Sequence, residues 1–339
     1  MLDSSERSYM QWLLSRRLSM PKRKLFLRAM ISLAVLLIIP LVGAVYQFAE
    51  YRTDIAKHPA PGKLIDIGGY RLHLLCNGTG SPTVVFEAGI GDDSLTWAGV
   101  QPTIAKITRA CSYDRAGYGW SDPSPKPRDA RTIAQELHTL LRAAGIGGPL
   151  VLVGHSLGGM LVREYAGLYR SEVEGMVLVD STSPNQFRRM VRTGHANDEF
   201  IRKQGYFQDT MIFGWPRLSG WCDHWPIPER DVRRATECRL RPWITHVDEY
   251  KALDKDSTEV LEAGTFGDIP LTVLTEGPAT TNDPPNSFGA MQKELVGLST
   301  RGSQVFVPGG HMIQVDSPQA VSAAVLKVIE AVRHADSKL

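Results

Sequence analysis

The chain has little of what marks several large classes of protein. Its 339 residues carry a net charge of only +2, and beyond the N-terminal region there is no run of basic residues interleaved with aromatic ones, which argues against a nucleic-acid partner. It has no internal repeat and no low-complexity segment, which argues against repeat architectures. It has four cysteines. Cys222 and His224 form one close Cys/His pair, but no second Cys/His pair stands at zinc-binding spacing. We therefore expect a globular protein without a metal site.

Charge is absent from one N-terminal stretch. Ala29–Ala49 contains no charged residue and is dominated by Ile, Leu, Val and Ala, and it is long enough to span a bilayer. Basic residues precede it and a nearly balanced mixture of charges follows, so the positive-inside rule predicts a cytoplasmic N-terminus and an extracytoplasmic main domain. The preceding basic residues are Arg16, Arg17, Lys22, Arg23, Lys24 and Arg28.

A cleaved signal peptide is the alternative interpretation of this stretch. The apolar core of a signal peptide is usually shorter and ends in a small-x-small cleavage site, which favours an uncleaved signal anchor here. The expected organisation is a cytoplasmic basic segment at 1–28, a transmembrane anchor at 29–49, a linker at 50–62 and one large domain at 63–339. The linker, which contains Pro59, is expected to act as a short tether.

The run Val151–Gly159 carries the strongest signal for chemistry. An apolar strand leads into Gly-His-Ser-Leu-Gly and then into apolar residues at helical spacing. This context is typical of a nucleophile elbow, in which Gly154 and Gly158 allow strand and helix to pack closely while Ser156 points into open space. We predict that Ser156 is a nucleophile.

A serine nucleophile needs a base, and His311 is the best candidate. It follows the strand-like run Ser303–Val307 and precedes a helix that begins at Pro318, so it lies on a loop between strand and helix. The chain order of serine before histidine is the order expected with this kind of elbow. His155 adjoins the nucleophile, but neighbouring side chains point apart at such a turn, and we expect His155 to serve in packing.

Four segments together resemble the alpha/beta-hydrolase superfamily, with similarity from about Pro61 to the C-terminus. The resemblance, together with the alternation of strands and helices, implies an α/β fold: a mostly parallel, doubly wound sheet with a helical cap inserted at about 181–268. The N-terminal transmembrane helix would precede this domain. The four segments are Gly154–Gly158, Gly310–His311, Pro82–Gly91 and Asp114–Ser121.

The resemblance also implies an oxyanion hole. The backbone N–H groups of Ile90 and Leu157 take this role, because two preset donors stabilise charge developing on a carbonyl oxygen. Ala88 stands where many relatives carry His, but the backbone amide does the chemistry. In the glycine-rich run that begins at Asp114, we expect Asp114 and Arg115 to tie loops together.

The acid that orients His311 departs from the common pattern. In most relatives an aspartate follows the strand before the histidine strand, and alanine and threonine occupy that place here. Three candidates remain: Asp180, Glu276 and Asp283. We favour Asp180, because pancreatic lipases and certain haloalkane dehalogenases place their acid after the earlier strand that Asp180 ends.

The expected cap is rich in aromatic residues and broken by prolines, which predicts several helices above the C-terminal edge of the sheet, where ligands bind. Most of the aromatic residues would form a small core, and some should line an apolar pocket that favours an acyl or aromatic substrate group. They are Phe187, Phe200, Tyr206, Phe207, Phe213, Trp215, Trp221, Trp225 and Trp243.

Four cysteines in an exported domain permit two disulfides. Cys76 and Cys111 lie on strands that the resemblance makes neighbours, and Cys222 and Cys238 bracket a short loop of the cap. The sequence does not supply the distances that a bridge requires, so four unpaired thiols are the alternative.

These predictions combine into a membrane-anchored serine hydrolase that cleaves a small-molecule or lipid-like ester through Ser156, His311 and Asp180, without a metal or organic cofactor. The same machinery serves acyltransferases, thioesterases, amidases and peptidases. Epoxide hydrolases and haloalkane dehalogenases are disfavoured, because their chemistry needs a carboxylate nucleophile. The alternative from another class is a noncatalytic receptor that has kept the hydrolase fold.

Overall fold

A computed structural model of the protein describes residues 22–186, 194–223, 230–278, 284 and 287–336. Several residues named above lie outside the described residues. They are the N-terminal Arg16 and Arg17, the cap residues Phe187, His224 and Trp225, and the candidate acid Asp283.

The described ranges form one eight-stranded sheet. Its strands are β1 (Lys63–Asp66), β2 (Arg71–Asn77), β3 (Thr83–Glu87), β4 (Ala110–Tyr113), β5 (Leu150–His155), β6 (Val173–Val179), β7 (Leu271–Glu276) and β8 (Gly302–Val307). Their order across the sheet is β1-β2-β4-β3-β5-β6-β7-β8. Only β1–β2 and β2–β4 pair antiparallel among these strands, so the expected mostly parallel sheet is confirmed.

Helices cover both faces of the sheet. In chain order the described α-helices are α1 (Lys22–Lys57), α2 (Gln101–Ile104), α3 (Ala130–Ala143), α4 (Leu157–Leu168), α5 (Gly194–Ile212), α6 (Trp215–Leu218), α7 (Arg230–Glu237), α8 (Leu240–Glu262), α9 (Phe288–Val296), α10 (Ile313–Asp316) and α11 (Pro318–Asp336). Side chains alternate along β5: Leu152 joins the core beneath α3 and α4, whereas Val153 joins the core beneath α2 and α11. Burial on both faces explains why β5 is a continuous apolar run.

The insertion forms a cap of helices, as the sequence predicts. It contains α5 to α8, and its aromatic side chains pack on one another. The ring centroid of Phe207 lies 4.6 Å from that of Trp221 and 4.5 Å from that of Trp243. This cluster is the small core that the composition of the cap indicated.

Both candidate disulfides are present. Cys76 and Cys111 face each other across the antiparallel pair β2–β4, and Cys222 is bonded to Cys238 within the cap. The first bridge joins two neighbouring strands and the second closes a short loop, so each lies where the sequence allowed it.

The segment expected to be a linker differs from the prediction. Residues 50–57 continue helix α1, which extends the helix eight residues beyond the apolar stretch. The reason is tertiary, because this part of α1 packs against the cap. Within it, Asp54 is 2.5 Å from the buried guanidinium of Arg217. Just before it along α1, the side-chain amide of Gln47 donates to the carbonyl oxygen of Cys238 at 2.8 Å.

Candidate active site

Ser156 lies at a sharp turn between β5 and α4. Its backbone angles are φ 51° and ψ −121°, a conformation that residues with a side chain rarely adopt and that functional turns hold under strain. Gly154 makes the turn feasible, because a Cβ at this position would lie 2.4 Å from the carbonyl oxygen of Gly158. The geometry is that of the elbow predicted from the sequence.

Asp180 and His311 form a close pair. Oδ2 of the fully buried Asp180 lies 2.6 Å from Nδ1 of His311, and Oδ1 of Asp180 accepts a hydrogen bond from the backbone N–H of Glu276 at 2.9 Å. Glu276 therefore contributes its backbone to Asp180. Within the described ranges, Asp180 is the carboxylate at hydrogen-bond distance from His311.

The surroundings move the pKa values of the two histidines in opposite directions. The hydrogen bond to Asp180 raises the pKa of His311 above its ordinary value, despite partial burial. Burial, with a smaller effect of the charge on His311, lowers the pKa of His155 to about 4. His155 is therefore neutral near pH 7, and its Nε2–H can donate to the carbonyl oxygen of His311, 3.0 Å away. This contact supports the loop of His311, which agrees with a packing role for His155.

The two predicted oxyanion donors lie at the same cavity as Ser156 and His311. Leu157 is the first residue of α4, so its N–H has no carbonyl partner within the helix. Ile90 follows Gly89, whose carbonyl oxygen accepts a hydrogen bond from Arg115 at 2.8 Å. The loop that presents the Ile90 amide is thus tied to a buried side chain.

Asp114 and Arg115 connect loops to one another, as expected from the sequence. Asp114 accepts hydrogen bonds from the backbone N–H groups of Ser94 and Trp120, both at 2.8 Å. Arg115 also forms ion pairs with Glu87 at 2.8 Å and, in the cap, with Glu249 at 2.8 Å. The partner in the cap was not predictable, because no sequence pattern relates residues this far apart.

A cavity of about 490 Å³ lies between the elbow and the cap. The cap forms much of its wall through α8, which contributes Trp243, and Trp221 of the cap also faces the cavity. The polar part of the wall was not predicted from the sequence. It includes Asp92, Thr182, Gln186, Gln204, Glu237, His246 and Tyr250.

Asp92 and Glu237 share a buried partner that was also not predicted from the sequence. The guanidinium of Arg233 lies 3.1 Å from Asp92 and forms a short ion pair with Glu237. The spacing of four residues between Arg233 and Glu237 on one helix was the available signal. For Asp92, on the loop after β3, no sequence signal indicated the ion pair with Arg233, because this pair exists only when the cap lies above the loop.

Comparison with known proteins assigns the fold to a family. The family model for the alpha/beta hydrolase fold matches residues 82–318. The chain belongs to the alpha/beta hydrolase family. This alpha/beta hydrolase is 38% identical over 258 residues to the uncharacterized protein YqjL of Bacillus subtilis, an alignment that covers 74% of the chain and 85% of the relative.

Solved structures share the fold of this alpha/beta hydrolase. A loop variant of a haloalkane dehalogenase from Bradyrhizobium elkanii aligns with a TM-score of 0.63 and 18% identity, covering 81% of this chain and 98% of the other. An esterase from Thermogutta terrifontis aligns with a TM-score of 0.56 and 21% identity, covering 80% and 98%. The chain spans less than half the length of the first two curated relatives that it matches, 19% and 49%.

Proposed function

We propose that this alpha/beta hydrolase is a membrane-anchored serine hydrolase that cleaves carboxylic esters. The observation that carries the proposal is the pair of His311 and Asp180, 2.6 Å apart, at a cavity that Ser156 also lines from its strained elbow. A nucleophile, a base and an acid that orients the base are the parts of a serine hydrolase triad.

The proposed reaction begins when Oγ of Ser156 attacks the ester carbonyl carbon and Nε2 of His311 accepts the hydroxyl proton. Asp180 accepts the hydrogen bond from Nδ1–H and stabilises the imidazolium. The N–H groups of Ile90 and Leu157 donate to the oxyanion. The tetrahedral intermediate then breaks the C–O bond to the leaving group, and His311 returns the proton to the departing alcohol.

Water completes the proposed cycle. His311 accepts a proton from water, the hydroxide attacks the acyl group on Ser156, and the carboxylic acid leaves as the serine regains its proton.

The apolar cap residues Trp221, Trp243 and Leu253 support a substrate with an acyl or aromatic group. The serine on the elbow disfavours the chemistry of the dehalogenase neighbour, which needs a carboxylate nucleophile.

The N-terminal helix supports the membrane part of the proposal. The helical segment Arg23–Lys57 has a mean hydropathy of 2.6 in its most apolar window and is long and apolar enough to cross a membrane. The basic residues before Ala29 favour a cytoplasmic N-terminus, with the hydrolase domain on the other side.

A fluorophosphonate probe tests the proposed activity on the full-length protein in detergent. Such a probe reacts with activated serines, so mass spectrometry should find the label on Ser156, and a Ser156→Ala variant should lose it. A panel of ester, thioester and amide substrates then compares the bond types. Folded protein that remains unlabelled would contradict a serine hydrolase, and faster amide or thioester cleavage would contradict the ester assignment.

A further inference from the structure

The cap carries an exposed apolar patch beside helix α1. Four large apolar side chains within seven residues face outward, and Trp215 and Leu218 are 61% and 62% exposed. We call these four residues the cap patch: Ile212, Phe213, Trp215 and Leu218. Clustered exposed apolar residues mark an interaction surface more often than scattered ones do.

The charged residue within this segment turns away from the patch. The side chain of Arg217 is fully buried and pairs with Asp54 of α1 at 2.5 Å, and its Nη2 donates to the carbonyl oxygen of Cys238 at 3.0 Å. Pro216 is also buried. The outward face of α6 is therefore apolar, although the segment contains an arginine.

Helix α1 holds the cap patch at a defined level. A Cβ built on Gly43 would lie 2.4 Å from the carbonyl oxygen of Phe213, so the two backbones are in close contact, as small residues allow in membrane helices. Gln47, one turn further along α1, donates to the cap at Cys238. The patch therefore cannot move independently of the helix while these contacts remain.

The position of Gly43 along α1 sets the depth of the patch. Gly43 lies six residues before Ala49, where the apolar stretch ends, and at about 1.5 Å per residue this is about 9 Å inside the stretch. A bilayer core needs about 20 apolar residues, so nearly all of Ala29–Ala49 is required to cross it. The cap residue beside Gly43, Phe213, would then lie below the level at which the helix leaves the hydrocarbon.

We propose that the cap patch docks into the outer interface of the bilayer that α1 spans. The docking rests on the proposed membrane anchoring and is independent of the proposed ester chemistry, whereas the substrate class drawn from it below rests on both. Apolar faces bury about 5–10 Å into the boundary between headgroups and acyl chains, which matches the depth set by Gly43. Trp215 suits this level, because the amphipathic indole prefers the membrane interface.

Docking places the wall of the cavity close to the membrane. Gln204 lies on α5, the helix that leads to the patch, and Trp221 follows Leu218 by three residues; both line the cavity. A substrate dissolved in the outer leaflet would meet the cap before it met the bulk solvent. The substrate class that follows is a lipophilic ester that partitions into the bilayer.

Tryptophan quenching tests the docking. The full-length protein is placed in nanodiscs of phosphatidylcholine with or without bromine on the acyl chains, and the fraction of emission that bromine quenches is measured. Trp215→Phe should lose a large part of that quenching. In the Trp215→Phe protein, adding Leu218→Trp should restore it, whereas adding Leu261→Trp should not, because Leu261 is 43% exposed but lies at the far end of α8.

Unchanged quenching in Trp215→Phe, with equal behaviour of the two added tryptophans, would overturn the proposal. If the patch instead covers a second copy of the chain, Trp215→Ser would change the oligomeric state in detergent and bromine would have no effect on Trp215. Since quenching requires no turnover, an inert Ser156 would contradict the ester hydrolase and leave the docking intact. Failure to incorporate into nanodiscs would contradict the anchoring itself.

Substrate preference provides a second measurement. Leu218→Ser should lower kcat/KM for a long-chain ester dissolved in the nanodisc and leave kcat/KM for a short water-soluble ester unchanged. Leu261→Ser should leave both unchanged. Equal losses on the two esters in Leu218→Ser would overturn delivery of substrate from the bilayer.

Discussion

Nε of Arg115 lies 2.8 Å from Oε1 of Glu249, and this ion pair joins the part of the domain that contains the sheet to helix α8 of the cap. The same guanidinium contacts Glu87 and the carbonyl oxygens of Ala88 and Gly89. Both Arg115 and Glu249 are buried, and their opposite charges compensate each other away from water. The loop that presents the Ile90 amide is therefore connected to the cap through one side chain.

Arg115→Ala should be strongly destabilising. It would leave the carboxylates of Glu87 and Glu249 buried without their partner, and breaking a buried ion pair in this way costs roughly 3–5 kcal/mol. The matched control is Arg71→Ala, because the side chains of Arg71 and Asp122 are 52% and 32% exposed and ion pairs that water can reach contribute little to stability. Urea unfolding measures both free energies, and similar losses in the two variants would contradict this account.

Asp180→Asn should reduce kcat by about 10⁴-fold while the fold is retained, as loss of the acid does in other triads. An amide can still accept the Glu276 N–H but no longer stabilises the imidazolium of His311. Glu276→Gln is the control, because Glu276 supports Asp180 through its backbone, and its activity should stay within a few fold of the parent. The reverse pattern in steady-state kinetics would transfer the acid role to Glu276.

The acidic limb of the kcat/KM profile should lie above the ordinary histidine pKa of about 6.5. His311 accepts a proton only when neutral, and Asp180 raises the pKa of His311, so activity is lost as the pH falls through that raised value. Residual activity in Asp180→Asn should show the limb at lower pH. A control variant, His334→Gln at an exposed site on α11, should leave the acidic limb at the pH of the parent. An acidic limb that stays at the same pH in Asp180→Asn would contradict the assignment.

Gly154→Ala should disrupt the elbow, because its Cβ would lie 2.4 Å from the backbone carbonyl oxygen of Gly158 and no side chain can move aside. We expect a loss of about 1–3 kcal/mol in stability and a large loss of probe labelling at Ser156. Gly205→Ala is the control, since a Cβ on this helical glycine meets nothing within 4 Å and alanine favours helix. Thermal unfolding and labelling of both variants provide the comparison.

Much of the fold follows from local patterns. The elbow, the strand before His311 and the helix after it each follow from the pattern of a short run of residues. The structure has β5, β8 and α11 close to the predicted positions. Alternation of apolar strands with amphipathic helices likewise indicated the doubly wound sheet. The catalytic roles of Ser156 and His311, and those of the oxyanion amides, stay predictions that the probe and the variants address.

The sequence by itself determined the family-defining elbow, the apolar N-terminal stretch and the existence of a cap, because each depends on neighbouring residues. Only the tertiary structure decided which carboxylate among the described residues meets His311, since Asp180 and His311 are 131 positions apart. The same holds for the helical continuation of α1 to Lys57 and for the pairing of Arg115 with Glu249. These features depend on contacts between segments that are distant in the sequence, and such contacts exist only in the folded chain.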